Sequence, residues 1–361
     1  MSPGPRLLLV PVSGPRGMGE YARCLAIATA VARRWPAVAI HFLISREAPY
    51  AAQCPFPATL LPASPTRCTP EVLAQIESFQ PGLVLFDNSG RTRQLKAARA
   101  AGARLVFVSS RSRQRRKAFR WRWMGLLDEH WISYPAPLTG ALSLLERSKL
   151  HWRGRPIVRF LDAVVAPPDD AAAAAALLSA TDGSAEDDDE RLTPDVIVVP
   201  GGGSAYPDTR IGPGHFVEWS LALARAGRRV VVVGGPAFGL PVAAADHLRL
   251  LRSVPAGTLM ALLQRARIVL VNGGDTLAQA LALGRPCVAV PIAGDQAARI
   301  ERAAALGVVA APDHEAVIEA CTRLLDQPAA AAALQLRLAA LGWRDALPLI
   351  LTRIGAYLAL D

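Results

Sequence analysis

Short apolar runs, many of them β-branched, recur along the chain. Each is followed by a turn and then by a stretch in which apolar side chains return every three or four positions. That alternation predicts strands joined by crossover helices, hence parallel sheets covered on both faces. In the first half the predicted strands are residues 7–12, 38–44, 83–87, 104–108 and 131–133; in the second they are 195–199, 230–233, 268–271 and 287–290. Tyr21, Leu25, Ala28 and Ala32 fall on one stripe of a helix predicted over 20–34. Leu347, Ile350, Leu351, Ile354 and Leu358 repeat at helical spacing and predict a closing amphipathic helix.

Between the halves, Pro167-Pro168, an Ala-rich run and the acidic cluster 186–190 interrupt the pattern. The expected organisation is a first α/β domain over 1–166, a linker over 167–194, and a second α/β domain over 195–361 that includes the closing helix. A chain of 361 residues is longer than one core usually serves. With 52% hydrophobic and 19% charged residues, wholesale disorder is excluded. The five cysteines lie far apart with no C-x-x-C pair, which fits a reducing compartment and argues against a zinc site. The opening apolar run is broken by Pro11, too short for a signal core or a membrane span. A cytoplasmic protein is the expectation.

Charge divides the halves. Residues 1–168 carry 24 Lys and Arg against 9 Asp and Glu, a balance of +15, whereas 169–361 carry 16 against 21, a balance of −5. The first domain should therefore attract something anionic.

In open α/β domains ligands bind beyond the carboxyl ends of the strands, so glycine loops after strands are where chemistry is expected. Four such loops stand out. The first contains Gly17 and Gly19 and opens the helix that carries Glu20 and Arg23. The second, Pro200-Gly201-Gly202-Gly203-Ser204, suits phosphate oxygens. The third holds Gly235, for which a steric role serves equally well. The fourth reads Asn272-Gly273-Gly274-Asp275-Thr276 and leads through Gln279 to a second polar loop with Asp295 and Gln296. Its glycine turn opens a helix, with Asp275 as the expected cap, and a helix start carries unpaired N–H groups and partial positive charge. Thr276 and Gln279 share one face of that helix.

This stretch resembles the donor-binding signature of nucleotide-sugar glycosyltransferases with the twin Rossmann-like GT-B fold, in the branch of the N-acetylglucosaminyltransferase that makes lipid II. The resemblance implies two Rossmann-like domains with a ligand cleft between them, donor held by the second domain and acceptor by the first. It also implies that the position of Gln279 holds the ribose hydroxyls; the family has a Glu there, so this chain offers an amide without negative charge. The segment Gly17-x-Gly19-Glu20-x-x-Arg23-Cys24-Leu25 is similar to one in the UDP-sugar hydrolase of pseudaminic acid biosynthesis, where a His stands in place of Glu20. Glu20 is the candidate catalytic base. The alternative is a first-turn Glu that complements the helix dipole. Asp87, at the end of a predicted strand, is the reserve.

Residues 111–122 hold seven cations in twelve positions, among them Arg113, Arg115, Arg116, Lys117, Arg120 and Arg122, interleaved with Phe119, Trp121 and then Trp123. Cations among aromatic rings suit an anionic membrane surface; a solvated basic loop with Trp packed in the core is the alternative. Nucleic acid is disfavoured, because no known binding module is present and the glycine loops would go unexplained. The expected function is transfer of a sugar from a nucleotide diphosphate sugar, UDP first, to a cell-envelope or lipid-linked acceptor. The expected course is inverting and needs no metal or other cofactor, at the inner face of the cytoplasmic membrane. A nucleotide-sugar hydrolase or epimerase is the second reading, and an Arg-rich nucleic-acid or membrane-surface binding protein the third.

Overall fold

The computed structural model describes residues 4–178, 193–204, 209–239 and 245–360. These form two compact units: residues 1–164 with 346–361, and residues 165–345. The acidic cluster 186–190, expected in the linker, lies outside the described residues. Part of the expected linker is a helix, Asp170–Leu178, which packs on the Ala256–Arg265 helix within the second unit.

The first unit is built on a parallel sheet of seven strands: β1 (Arg6–Pro11), β2 (Ala39–Ser45), β3 (Ala58–Leu61), β4 (Leu83–Asp87), β5 (Arg104–Ser109), β6 (Glu129–Ile132) and β7 (Ile157–Phe160). Their order is β3-β2-β1-β4-β5-β6-β7. Chain order reverses beside β1, which pairs in parallel with both β2 and β4, so Leu9 stands between Phe42 and Leu85. The inner strands are buried along most of their length because helices cover both faces, which is why they read as nearly unbroken apolar runs. Leu8, Val84, Phe86 and Phe107 form the centre of one core cluster.

The second unit repeats the plan with six parallel strands: β8 (Val196–Val199), β9 (Val230–Val233), β10 (Leu248–Leu251), β11 (Ile268–Asn272), β12 (Cys287–Val290) and β13 (Val309–Ala310). The order β10-β9-β8-β11-β12-β13 places the reversal between β8 and β11, the strands that carry the second and fourth glycine loops. Val198, Leu270 and Val288 sit in its core with Phe216 and Trp219 from the Pro213–Arg225 helix.

The closing helix forms over Leu347–Leu358, but it belongs to the first unit, where it packs on the Gly19–Arg34 helix and β4. This corrects its expected place in the second domain. Its apolar stripe is the cover that the first unit's own helices leave incomplete: Ile350 and Ile354 are fully buried, and Leu358 lies over Gly82, where an added Cβ would come within 3.0 Å of its Cδ2. Among the described residues no helix is long and apolar enough to cross a membrane.

Candidate functional site

Two clusters of polar groups lie at the carboxyl ends of the central strands, one in each unit. In the second unit the loop after β8 and the loop after β9 meet backbone to backbone. Gly201 and Gly203 have φ of +96° and +85°, in the left-handed region that favours glycine. An added Cβ on Gly203 would lie 2.3 Å from the Phe238 nitrogen, and one on Gly235 would lie 2.5 Å from the Gly201 carbonyl oxygen. The Ala237 N–H donates to the Gly202 carbonyl at 3.1 Å, fixing the approach. Gly235 is therefore explained by loop packing, the steric role left open by its sequence. Beside Gly203, the Ser204 hydroxyl is enclosed and has no hydrogen-bond partner among the described residues.

Asn272, the last residue of β11, joins this loop to the Gly273-Gly274 turn. Its Nδ2 donates to the Pro200 carbonyl at 2.8 Å, while its Oδ1 accepts from the Gly274 N–H at 2.8 Å. The helix that follows is Asp275–Ala282, with Gly274 at its cap position and no side chain capping it. Asp275 is thus the first helical residue rather than the cap expected from sequence. Thr276 and Gln279 sit half-buried on this helix.

Gln296, expected to contact a ligand, turns inward instead. Its Oε1 accepts from the backbone N–H of Ile292 at 2.9 Å and of Gly273 at 3.3 Å, so it clamps the loop after β12 to the glycine turn. A Cβ on Gly273 would lie 2.8 Å from the Gln296 Cβ, so glycine is needed for that clamp to close. Behind it, the buried Arg299 donates to the Gly273 carbonyl and reaches the exposed Asp295 at 3.4 Å. Asn272 and Arg299 were missed in the sequence, though both flank the flagged glycines and the Asp295-Gln296 pair. A guanidinium under the turn adds positive charge where the helix dipole already supplies it.

In the first unit, the loop after β1 turns through Gly17 at φ +73° and enters the Gly19–Arg34 helix. Glu20, Arg23 and Cys24 are all buried on it. Arg23 grips Asp87 with two parallel bonds, Nε to Oδ2 at 2.7 Å and Nη2 to Oδ1 at 2.9 Å, and Asp87 is fully buried. Both carboxylate oxygens of Asp87 thus accept from a guanidinium, the geometry of a structural ion pair. That removes Asp87 as the reserve base.

Asn88 follows with φ of +51°, a left-handed residue that is not glycine. The twist aims its carboxamide back across the strand ends: Nδ2 donates to Glu20 Oε1 at 2.8 Å and to the Ser110 hydroxyl, and Oδ1 accepts from the Ser110 N–H at 3.0 Å. Arg111 lies 3.7 Å from the same Glu20 oxygen. Glu20 Oε2 has no hydrogen-bond partner among the described residues. The buried Tyr50 completes the cluster: its hydroxyl has no partner among the described residues, and burial followed by the Glu20 charge pushes its pKa upward. Asn88, Ser110 and Tyr50 were not flagged by the sequence, because their approach to Glu20 depends on the strand order.

The basic segment 111–122 is two short helices, Ser112–Ala118 and Trp121–Met124, broken at Phe119 and Arg120. Phe119 and Trp123 are buried in the core, contrary to a membrane role. Arg115 pairs with Glu146 at 2.7 Å and donates to the carbonyls of Gly140 and Ala141. Lys117 donates to the Gly90 carbonyl, lies 4.3 Å over the Trp123 ring, and has its pKa pushed down to about 8 by burial and by Arg91, Arg120 and Arg113. Arg113, Arg116, Arg120, Trp121 and Arg122 remain exposed.

No protein-family model and no curated protein matches the chain. Solved structures do. The spinosyn forosaminyltransferase SpnP is 15% identical with a TM-score of 0.64, covering 98% of this chain and all of that one. The Streptomyces sp. SF2575 glycosyltransferase SsfS6, complexed with thymidine diphosphate, is 16% identical with a TM-score of 0.61 over 96% and 99%. A putative UDP-N-acetylglucosamine 2-epimerase from Listeria monocytogenes is 14% identical with a TM-score of 0.54 over 92% and 91%. The chain has the twin Rossmann-like, GT-B fold of these proteins.

Proposed function

We propose that this chain is a glycosyltransferase that takes a sugar from a nucleotide diphosphate sugar. The carrying observation is the second unit's paired glycine loops, tied by Asn272 to the uncapped start of the Asp275–Ala282 helix. Backbone amides, a helix dipole and the enclosed Ser204 hydroxyl suit a diphosphate, both bound and as it departs. A helix terminus contributes up to about 2 kcal/mol, so a base and correct positioning supply most of the acceleration. Glu20 is the proposed base, the course an inverting single displacement without a metal. Thr276 and Gln279 would face the nucleotide. Uridine diphosphate is the first donor nucleotide to test, and thymidine diphosphate the second, since the similar SsfS6 was crystallised with it.

Calorimetric titration with each nucleotide checks the donor site. In Gly274→Ala the new Cβ would lie 2.7 Å from Asn272 Oδ1, so the Asn272 carboxamide is pushed off its bonds to the Gly274 N–H and the Pro200 carbonyl, and the bridge between the loops is lost. Loss of about 2 kcal/mol of helix-terminus stabilisation corresponds to roughly 30-fold weaker binding. Unchanged affinity in Gly274→Ala would refute the donor site. The epimerase-like neighbour supports a second reading, hydrolysis or epimerisation of the nucleotide sugar. Product analysis decides it: turnover without an acceptor sinks the transferase reading.

For the acceptor we propose a lipid-linked molecule, reached at an anionic membrane through the surface of the Leu144–Arg153 helix. That helix buries no residue and leaves Leu144, Leu145 and Trp152 at 75–79% exposed, beside the exposed Trp121 and the arginines of 113–122. Each cation near anionic lipid contributes about 1 kcal/mol, and Trp rings settle among headgroups. The triple variant Leu144→Ser, Leu145→Ser, Trp152→Ser should lose co-sedimentation with phosphatidylglycerol vesicles and keep its thermal stability. Equal sedimentation of variant and wild type counts against the membrane surface.

A further inference from the structure

At the opposite end of the second sheet, where strands begin, three arginines line a cavity of about 370 Å³. Arg265 closes the Ala256–Arg265 helix, Arg267 directly precedes β11, and Arg285 stands just before β12. Gln335 forms part of the wall, and Leu324 and Pro328 contribute apolar surface. The volume lies in the range of about 300–1,000 Å³ typical of small-molecule sites.

The charges in this cavity are unevenly matched. Arg267 pairs with Asp195 at 3.1 Å and donates to the Leu325 carbonyl, and Arg265 pairs with Asp170 at 3.2 Å. Arg285 has no such ion pair: it donates to the Ala266 carbonyl at 3.4 Å, and no carboxylate among the described residues comes within ion-pair distance. The Nε groups of Arg265 and Arg285 are enclosed and without a hydrogen-bond partner among the described residues. Asp195 is shared with Arg229 at 3.5 Å, so among the described residues the acids that pair with the cavity arginines, Asp170 and Asp195, are already engaged. A half-buried cation lacking an anion is costly, and burial lowers the Arg285 pKa accordingly. Planar guanidiniums with free N–H groups match phosphate oxygens.

We infer that this cavity is a binding site for a phosphate monoester of a small organic molecule, its phosphate on Arg285 and Arg265 and its organic part against Leu324 and Pro328. The site stands at the strand ends remote from the glycine loops, so it would be an effector site rather than part of donor binding.

The test is calorimetric titration of the full chain with inorganic phosphate and with phenyl phosphate. Wild type should bind both, phenyl phosphate about tenfold more tightly because its ring covers apolar surface. Arg285→Gln should weaken both at least about tenfold, whereas Gly274→Ala should leave them unchanged; that arm separates this site from the proposed donor site. Gln335→Glu, a change at an exposed residue, places a carboxylate in the wall and should weaken binding without affecting the fold. Equal affinity of Arg285→Gln and wild type, binding lost in Gly274→Ala, or no heat with either phosphate would overturn the site. Preferential binding of an acidic peptide that phosphate does not displace would overturn it as well.

Discussion

Glu20→Gln should lower kcat by about 10²–10⁴-fold, the usual worth of a positioned general base, with nucleotide affinity changed by less than about twofold. The expectation follows from the division of labour within one carboxylate. Oε1 is held by the Asn88 carboxamide at 2.8 Å and approached by Arg111 at 3.7 Å, while Oε2 has no partner among the described residues. One oxygen fixes the group, and in the proposed role the other would take a proton from an acceptor hydroxyl. Glutamine keeps the size and an acceptor oxygen but cannot take that proton. If Glu20 were only a first-turn residue complementing the helix dipole, Glu20→Gln would cost about 0.3–1 kcal/mol of stability and leave kcat alone. Measuring kcat, nucleotide affinity and thermal stability on the same variant separates the two, and an unaltered kcat ends the assignment. Asn88→Ala is the companion: losing the 2.8 Å anchor lets Glu20 swing, so kcat should fall while nucleotide affinity stays unchanged.

How far the sequence could be read follows a physical line. All nine strands predicted from apolar runs exist, within a residue or two at their ends. The four that went unseen, β3, β7, β10 and β13, are the four edge strands of the two sheets. Apart from Leu61 and Val309 their residues are half-buried or exposed, with none of the inner strands' continuous burial. An edge strand has one neighbour and partial cover, so it carries no unbroken hydrophobic signal. The glycine loops were legible because strand, glycine and helix are consecutive in the chain. Partnerships across the sheet were not: Arg23 and Asp87 were each flagged, but only the adjacency of β1 and β4 shows that they satisfy one another. Side-chain direction was equally hidden, and Gln296 looks the same in sequence whether it faces a ligand or clamps two backbone amides. The basic segment misled for a related reason. A continuous helix would have put Phe119 and Trp123 on one outer face, and the break at Arg120 turns both into the core instead.

The closing helix is the feature whose placement the sequence misjudged most, and its attachment is expected to dominate the stability of the first unit. Glu129 is fully buried in β6 and accepts four hydrogen bonds: from Arg353 Nε at 2.6 Å and the Tyr357 hydroxyl at 2.8 Å, both on the closing helix, and from Arg159 Nε at 2.9 Å and Trp131 Nε1 at 2.6 Å. Burial alone would raise its pKa, but the four bonds together outweigh burial and hold the carboxyl below its ordinary value. Glu129→Gln removes the charge and turns an NH₂ group toward donors, leaving arginines inside the site without their anion. Breaking a buried pair this way costs about 3–5 kcal/mol, or about 6–20 °C at roughly 2–4 °C per kcal/mol for a unit of this size. The sign of the pH dependence follows from the lowered pKa. The stabilisation is complete above the unfolded carboxylate pKa and is lost as pH falls through the lower folded value. Wild type and Glu129→Gln should therefore differ most near neutrality and converge in acid. Thermal unfolding followed from neutral pH into acid checks both halves of the prediction: equal midpoints at neutral pH, or a gap that persists in acid, would show that the closing helix is held by its apolar stripe and not by this carboxylate.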